Sequence, residues 1–380
     1  MHHFTRKILI LVVLVILIWS FVGYLPGDDT LIAHYAKNVF TPYQSFRGAL
    51  LGHIPFSIGD VLYVLAGFAA IRAVVLWITY VFKFGLYTAE IAASLLNTIN
   101  TLLFVYLLFI ISWGANYYKA SLSKYWSLED NATLKLREKN DDPERMKALR
   151  ARDSMTLVAF DLFLIDKLNK LAPYYAPLSF NEINKRAGDY YRAYTSSKIK
   201  GRGLYVKSSL FSYFIARLGV DGYYNPFTGE GQVNADLPSF IMPFVVCHEL
   251  THQAGIAAEG DANLMSYTLC TTTDDTAFKY SAYLNIWMYT NNRVYARDSA
   301  LARKLEHKLN EFTTAHLDTM EQLSQKYHNE MARYSSKLYD SYLKMEDQKE
   351  GIRSYGDVAI SAWQVELRRK KGNKGVIDIP

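Results

Sequence analysis

From Ile8 to Leu25 the chain runs without a charged side chain and stops at Pro26, an apolar stretch long enough for a helix to cross a bilayer. Two more follow: Val61 to Phe82, where Arg72 is the only charge, and Ile91 to Ala115, where Asn97 and Asn100 are the strong polar groups. Three transmembrane helices are therefore expected, at about 8–25, 61–82 and 91–115.

After Tyr118 the texture becomes charged and amphipathic. Asp142-Pro143-Glu144 reads as a helix opening, with a cap, a proline at the first helical position and an acidic first turn. Apolar periodicity then runs through Met146, Leu149 and Met155 towards Leu171, and a second helix is expected from Phe180 to about Ser197. Gly219 to Asn234 is rich in turn formers and aromatics, which predicts a strand or hairpin. Such an element either pairs by its edge with an extended peptide or only supports its neighbours. Phe240 to Cys247 is apolar nearly all round, as suits a helix at the heart of a domain. Beyond Glu259, helical patterns run from Ala262 to about Tyr295, Asp298 to Tyr327 and Asn329 to Lys349. The expected fold is mainly α with a small β element (α+β), arranged as a membrane anchor over 1–118 and a soluble domain over 119–380.

Composition changes this picture only in places. Mean hydropathy is −0.03 because an apolar first third is averaged with a charged remainder. A formal net charge of +6 does not indicate nucleic acid as a partner, whereas the three apolar stretches make the lipid bilayer one. The basic tail, Arg368-Arg369-Lys370-Lys371 with Lys374, either touches anionic lipid or is a solvated end. Cys247 and Cys270 are too few for a disulfide framework and read as small core hydrophobes. No A-x-A-like site follows the first apolar stretch, so it is expected to be retained rather than cleaved as a signal peptide. Arg6 and Lys7 ahead of it place the N-terminus in the cytoplasm by the positive-inside rule, and three crossings carry the domain to the extracytoplasmic side. Within the spans Arg72 is expected to snorkel or pair, and Asn97 and Asn100 to bond between helices.

The chemistry is concentrated at His248-Glu249-Leu250-Thr251-His252. On a helix two imidazoles four apart project from one face and can grip one metal ion, and this is the H-E-x-x-H pattern of zinc peptidases. Glu249, about a third of a turn round, is placed as the general base that deprotonates water. Gly255 can end the helix in a left-handed conformation and return Glu259 to the metal as third ligand, with Asp261 as its competitor or else a helix cap. Two His, one Glu and an open fourth position describe a catalytic rather than a structural zinc site. Asn263, four residues past Glu259, faces the same side and can orient a ligand. The aromatic run Tyr280, Tyr283, Trp287 and Tyr289 reads as packing.

These motifs, with the exit Trp113-Gly114-Ala115-Asn116-Tyr117-Tyr118 and the segment Pro226 to Asn234, resemble a bacterial family catalogued as domain of unknown function number 3810 over nearly the whole chain. The resemblance implies a zincin-like, gluzincin-type metallopeptidase domain behind three spans in the bacterial inner membrane, with zinc as cofactor and Glu259 as its third ligand. Asn263 stands where that third motif usually carries Asp. Likeness to zincins also implies a Tyr or His that steadies the oxyanion, for which Tyr355 is the choice and Tyr267 and Tyr280 the alternatives. The expected function is a membrane-anchored zinc endopeptidase acting on a peptide or protein substrate. The rivals are a catalytically inactive zincin-fold scaffold and an intramembrane, site-2-type metalloprotease.

Overall fold

The computed structural model describes residues 2–82, 88–128, 143–199, 204–327, 357–370 and 378. The chain divides into two compact units: Met1–Lys119 with Ile199–Gly203 and Asn225–Glu230, and the remainder from Ala120.

The first unit is built from α1 (His2–Tyr24), α2 (Asp29–Tyr35), α3 (Thr41–Leu51), α4 (Ile58–Phe82) and α5 (Thr88–Ser112). Three segments are long and apolar enough to cross a membrane, Phe4–Gly27, Ile58–Phe82 and Glu90–Ser112, at the places the sequence predicts. Asn100 acts as expected between helices, its amide donating to the Lys7 carbonyl at 3.0 Å and so joining α5 to α1. Arg72 lies exposed on α4. The third span ends at Ser112 and not at Ala115, because Trp113 adopts φ −162° and the chain tightens into a short 3-10 turn, Gly114–Tyr118. Trp113 and Ala115 are buried there, so hydropathy alone cannot mark where the helix stops.

The same unit contains a turn from far along the chain. Gly229, at φ +70°, offers its carbonyl to the Gln44 amide at 2.8 Å, and Arg47 donates to the Pro226 carbonyl. Glu230 accepts from the Gly59 amide at 2.6 Å and the Ile58 amide at 3.4 Å, where the first amides of α4 need acceptors and favour a negative charge.

The second unit comprises α6 (Leu122–Tyr125), α7 (Pro143–Leu171), α8 (Phe180–Tyr194), β1 (Val206–Ser208), α9 (Ser212–Arg217), β2 (Gly222–Asn225), β3 (Glu230–Val233), α10 (Met242–Gln253), α11 (Glu259–Thr272), α12 (Thr276–Tyr295), α13 (Ser299–Glu306), α14 (Glu311–Tyr327) and α15 (Asp357–Lys370). The last residue of β2 and the first of β3 belong to the first unit. The architecture is mostly helical with one small sheet, as the patterning predicts. Several boundaries differ. α8 stops at Tyr194, short of Ser197. The pattern over 262–295 is two helices, because the Asp275 carboxylate caps a new one through the Ala277 and Phe278 amides. The pattern over 298–327 is also two, with Asn310 capping the second through the Thr313 amide. The helix expected over Asn329 to Lys349 lies outside the described residues.

α10 is the centre of this unit: every residue in it except His248 is buried. It packs on α8, α11 and α12, while α7 lies along α12, where the Phe163 ring meets that of Tyr283 and Asp161 accepts from Trp287. Cys247 and Cys270 are free and buried in this core. The sheet has the order β1-β3-β2, with β1 parallel to β3 in the register Val206 to Gly231 and Ser208 to Val233. The outer edge of β1 is closed by side chains. Asn184 pairs with both backbone groups of Val206, and Gln253 pairs with those of Tyr205 at 2.9 and 2.7 Å.

Candidate metal centre

α10 begins at Met242-Pro243, where proline costs no hydrogen bond, and the Phe244 amide is satisfied by the Ser281 hydroxyl at 3.1 Å. It ends at Gly255, which sits at φ +87°. The Gly255 amide donates to the His252 carbonyl at 2.9 Å and the Ile256 amide to the Thr251 carbonyl at 3.2 Å, the Schellman arrangement that reverses a chain. A residue with a Cβ would be strained in that conformation. The reversal brings the chain back at once, and Glu259 opens α11 facing the two histidines.

His248, His252 and Glu259 form a cluster whose ligand atoms all lie within 4.8 Å of one another. The two Nε2 atoms are 3.1 Å apart, and Glu259 places its oxygens 3.0 Å from Nε2 of His248 and 3.5 Å from Nε2 of His252. Two donors each bound to one zinc ion at roughly 2.0–2.1 Å and the tetrahedral angle stand about 3.4 Å apart, so these spacings fit a single ion. The far side of each ring is engaged. Nδ1 of His252 donates to the Ile256 carbonyl at 2.8 Å, and Nδ1 of His248 to Oδ1 of Asn263 at 3.0 Å. With the Nδ1 hydrogens committed to those acceptors, both Nε2 atoms turn inward towards each other and Glu259. Asn263 thus lies on the side its spacing suggests, hydrogen-bonded to His248.

Burial disfavours charge on His252, yet Glu259 and Glu249 overcome that and raise it to about 9. Burial likewise opposes charge on Glu259, but His252 and His248 hold its carboxyl well below the ordinary carboxylate range. His252 and Glu259 thus form a buried ion pair, and with His248 the three side chains could hold a metal ion.

Glu249 is 2% exposed, and its Oε2 has no hydrogen-bond partner among the described residues. Burial raises its carboxyl, His252 opposes this, and Glu259 and Asp221 add to it, for a value of about 8. Two glycines make room for it. A Cβ on Gly222 would meet Oε1 of Glu249 at 2.5 Å and the Gln232 carbonyl at 2.8 Å, and one on Gly231 would meet the Glu249 Cβ at 2.9 Å. The stretch of small and turn-forming residues before α10 is therefore fitted to this side chain.

Asp261 does not join the cluster. Its carboxylate turns to the Leu122 amide, burial raises it to about 7, and the residue that caps α11 is Ala258, so Asp261 is neither ligand nor cap. Tyr355 lies outside the described residues. The Tyr267 hydroxyl donates to Glu366 at 3.0 Å, and the Tyr280 hydroxyl is 2.7 Å from Nδ1 of His316, so both are engaged elsewhere. Two neighbours escaped the sequence reading. Asp221 lies close enough to add to the rise at Glu249, and desolvation raises its own carboxyl to about 6. The Tyr289 phenol is raised by burial and then by the charges of Asp221 and Glu259, which puts it in the field of the cluster. Tyr280, Tyr283 and Trp287 share one buried stripe of α12, but Tyr289, two residues past Trp287, falls on another face; that offset was the available signal.

The family model described as "Protein of unknown function (DUF3810)" matches residues 35–360. No curated protein and no solved structure matches the chain. The match runs from the anchor through the histidine and glutamate cluster and nearly to the C-terminus, and the chain belongs to this family of unknown function.

Proposed function

We propose that this protein is a membrane-anchored zinc peptidase in which His248, His252 and Glu259 hold the ion and Glu249 is the general base. The reading rests on one observation: three inward-facing donors at zinc-like spacing stand beside a buried carboxylate oxygen that has no partner. Zinc bound there supplies Lewis-acid polarisation of a peptide carbonyl and of water.

Glu249 accepts a proton from water as the water oxygen attacks the carbonyl carbon, and returns that proton to the amine nitrogen as the C–N bond breaks. The charge of a bound zinc ion would favour the ionised form of Glu249 for the first step, while the burial that raises its carboxyl favours return of the proton in the second. Asn263 and the Ile256 carbonyl are positioning groups that keep Nε2 of each histidine turned inward. Tyr289, whose phenol senses Glu259, is a candidate donor to the oxyanion. The substrate is an extended peptide laid along β2, because Asn184 closes the other edge of the sheet at Val206. β2 also passes the site, with the Tyr224 ring 6.4 Å from that of His252.

Arg6 and Lys7, in the first turns of α1, favour a cytoplasmic N-terminus by the positive-inside rule, and three crossings would then carry the catalytic unit outside the cytoplasm of a bacterial inner membrane. The intramembrane reading gains no support, since α10 is not among the apolar helices long enough to span a bilayer in the described residues.

The test uses full-length protein in lipid nanodiscs. Wild type and Glu249→Gln are compared for metal content by mass spectrometry and for cleavage of casein and of a quenched peptide library. One zinc per chain in both, with cleavage by wild type only, is expected. Stoichiometric zinc without cleavage by either protein would favour the scaffold reading, and absence of a stoichiometric metal would end the proposal.

A further inference from the structure

Most large apolar side chains exposed on the second unit stand singly, such as Met155 and Tyr174, and single ones need no explanation. Around α9 they do not. Leu210, Tyr213 and Phe214 are 57%, 54% and 64% exposed within five residues, while Ile215 turns inward at 8%. Arg217 completes the group, its guanidinium 5.4 Å from the Tyr213 ring centre and donating to the Tyr213 hydroxyl at 2.6 Å. Aromatic bodies with a polar tip, an aliphatic neighbour and an arginine on an apolar stem match the boundary between hydrocarbon and headgroups.

The covalent chain keeps this element near a bilayer. α5 ends at Ser112 and the second unit begins at Ala120, and a linker of that length reaches at most about 28 Å when fully extended. The chain then rejoins the anchor unit at Asn225, which ends β2, soon after α9. A segment tethered on both sides meets lipid at high effective concentration, so a small apolar area is enough to hold it there.

We propose that Leu210, Tyr213 and Phe214 form a shallow foot inserted at the headgroup boundary of a phospholipid bilayer, with Arg217 paired to lipid phosphate. The occupant is the lipid surface, and the contact is additional to the three spans. It depends neither on zinc nor on peptidase activity.

The experiment places a nitroxide at position 214 (Phe214→Cys) or 210 (Leu210→Cys) of the full chain in nanodiscs of mixed zwitterionic and anionic phospholipid. Wild type, whose two cysteines are buried, serves as the labelling background, and Lys304→Cys on α13 serves as the aqueous control. Oxygen should relax the label at 210 and 214 more strongly than a water-soluble nickel chelate does, with the reverse order at 304. Nickel dominating at both test positions would overturn the proposal, as would shielding from both reagents, which would indicate a second copy or another protein on the patch. Because all three positions are exposed, a matched melting temperature checks that each variant is folded before its accessibility is read.

Discussion

Asn263 illustrates how much a single side chain can decide. Its Oδ1 is the only acceptor described for Nδ1 of His248, whereas its Nδ2 has no partner. Asn263→Ala should therefore weaken zinc affinity by about 10–100-fold, as loss of a ligand-orienting group does, while Asn263→Asp should retain it. Competition with a chromophoric chelator measures both. The sequence placed Asn263 and Glu259 well because helical spacing and a glycine reversal are local properties. It placed Asp261 badly because its partner, the Leu122 amide, is far away in the chain. Asp161 was not legible at all. It lies fully buried on α7 and accepts from Trp287 at 3.0 Å and Asn291 at 3.3 Å, and burial raises its carboxyl to about 6. Between the ordinary value of 3.8 and about 6 the folded protein binds the proton and the unfolded chain does not, so stability falls as pH rises through that window. The full effect is at most about 3 kcal/mol, and Asp161→Asn should flatten the melting temperature between pH 4 and 6 relative to wild type.

Among the elements, the helices were legible from period and caps, and the hairpin from its turn formers. The sequence could not show that the two strands are fitted to one carboxylate. Gly222 and Gly231 carry that fit, since the tightest contacts of an added Cβ are with Glu249 and with the Gln232 backbone. Gly222→Ala forces either Glu249 or β3 to shift, an overpacking cost of about 1–3 kcal/mol. On the proposed mechanism it should lower kcat at least tenfold while the melting temperature drops by only a few degrees, and steady-state kinetics beside a thermal melt would separate the two. The helix breaks at Asp275 and Asn310 were missed because an apolar pattern continues across a capped turn when both helices bury the same face.

At the level of the whole chain, three apolar spans were foreseen, but the return of 199–203 and 225–230 to the first unit was not. Nothing local in 225–230 announces that Gln44, Arg47 and the first amides of α4 receive it. A protein beginning at Ala120 would leave Glu230 and the neighbouring carbonyls without those partners, at about 1–3 kcal/mol for each buried group. Such a fragment should melt at least about 5 °C below the full chain or aggregate, as differential scanning in matched detergent would report.

The Glu230 carboxylate on the first turn of α4 also bears on how the protein could be released. Severing the backbone between Lys119 and Ala120 removes only one of its moorings. After such a nick the C-terminal fragment should still sediment with membranes through alkaline or high-salt washing, and come free only when detergent or denaturant dissolves the helices that grip residues 225–230. Release of the second unit from the membrane by one cut between Lys119 and Ala120 is therefore not open to this architecture.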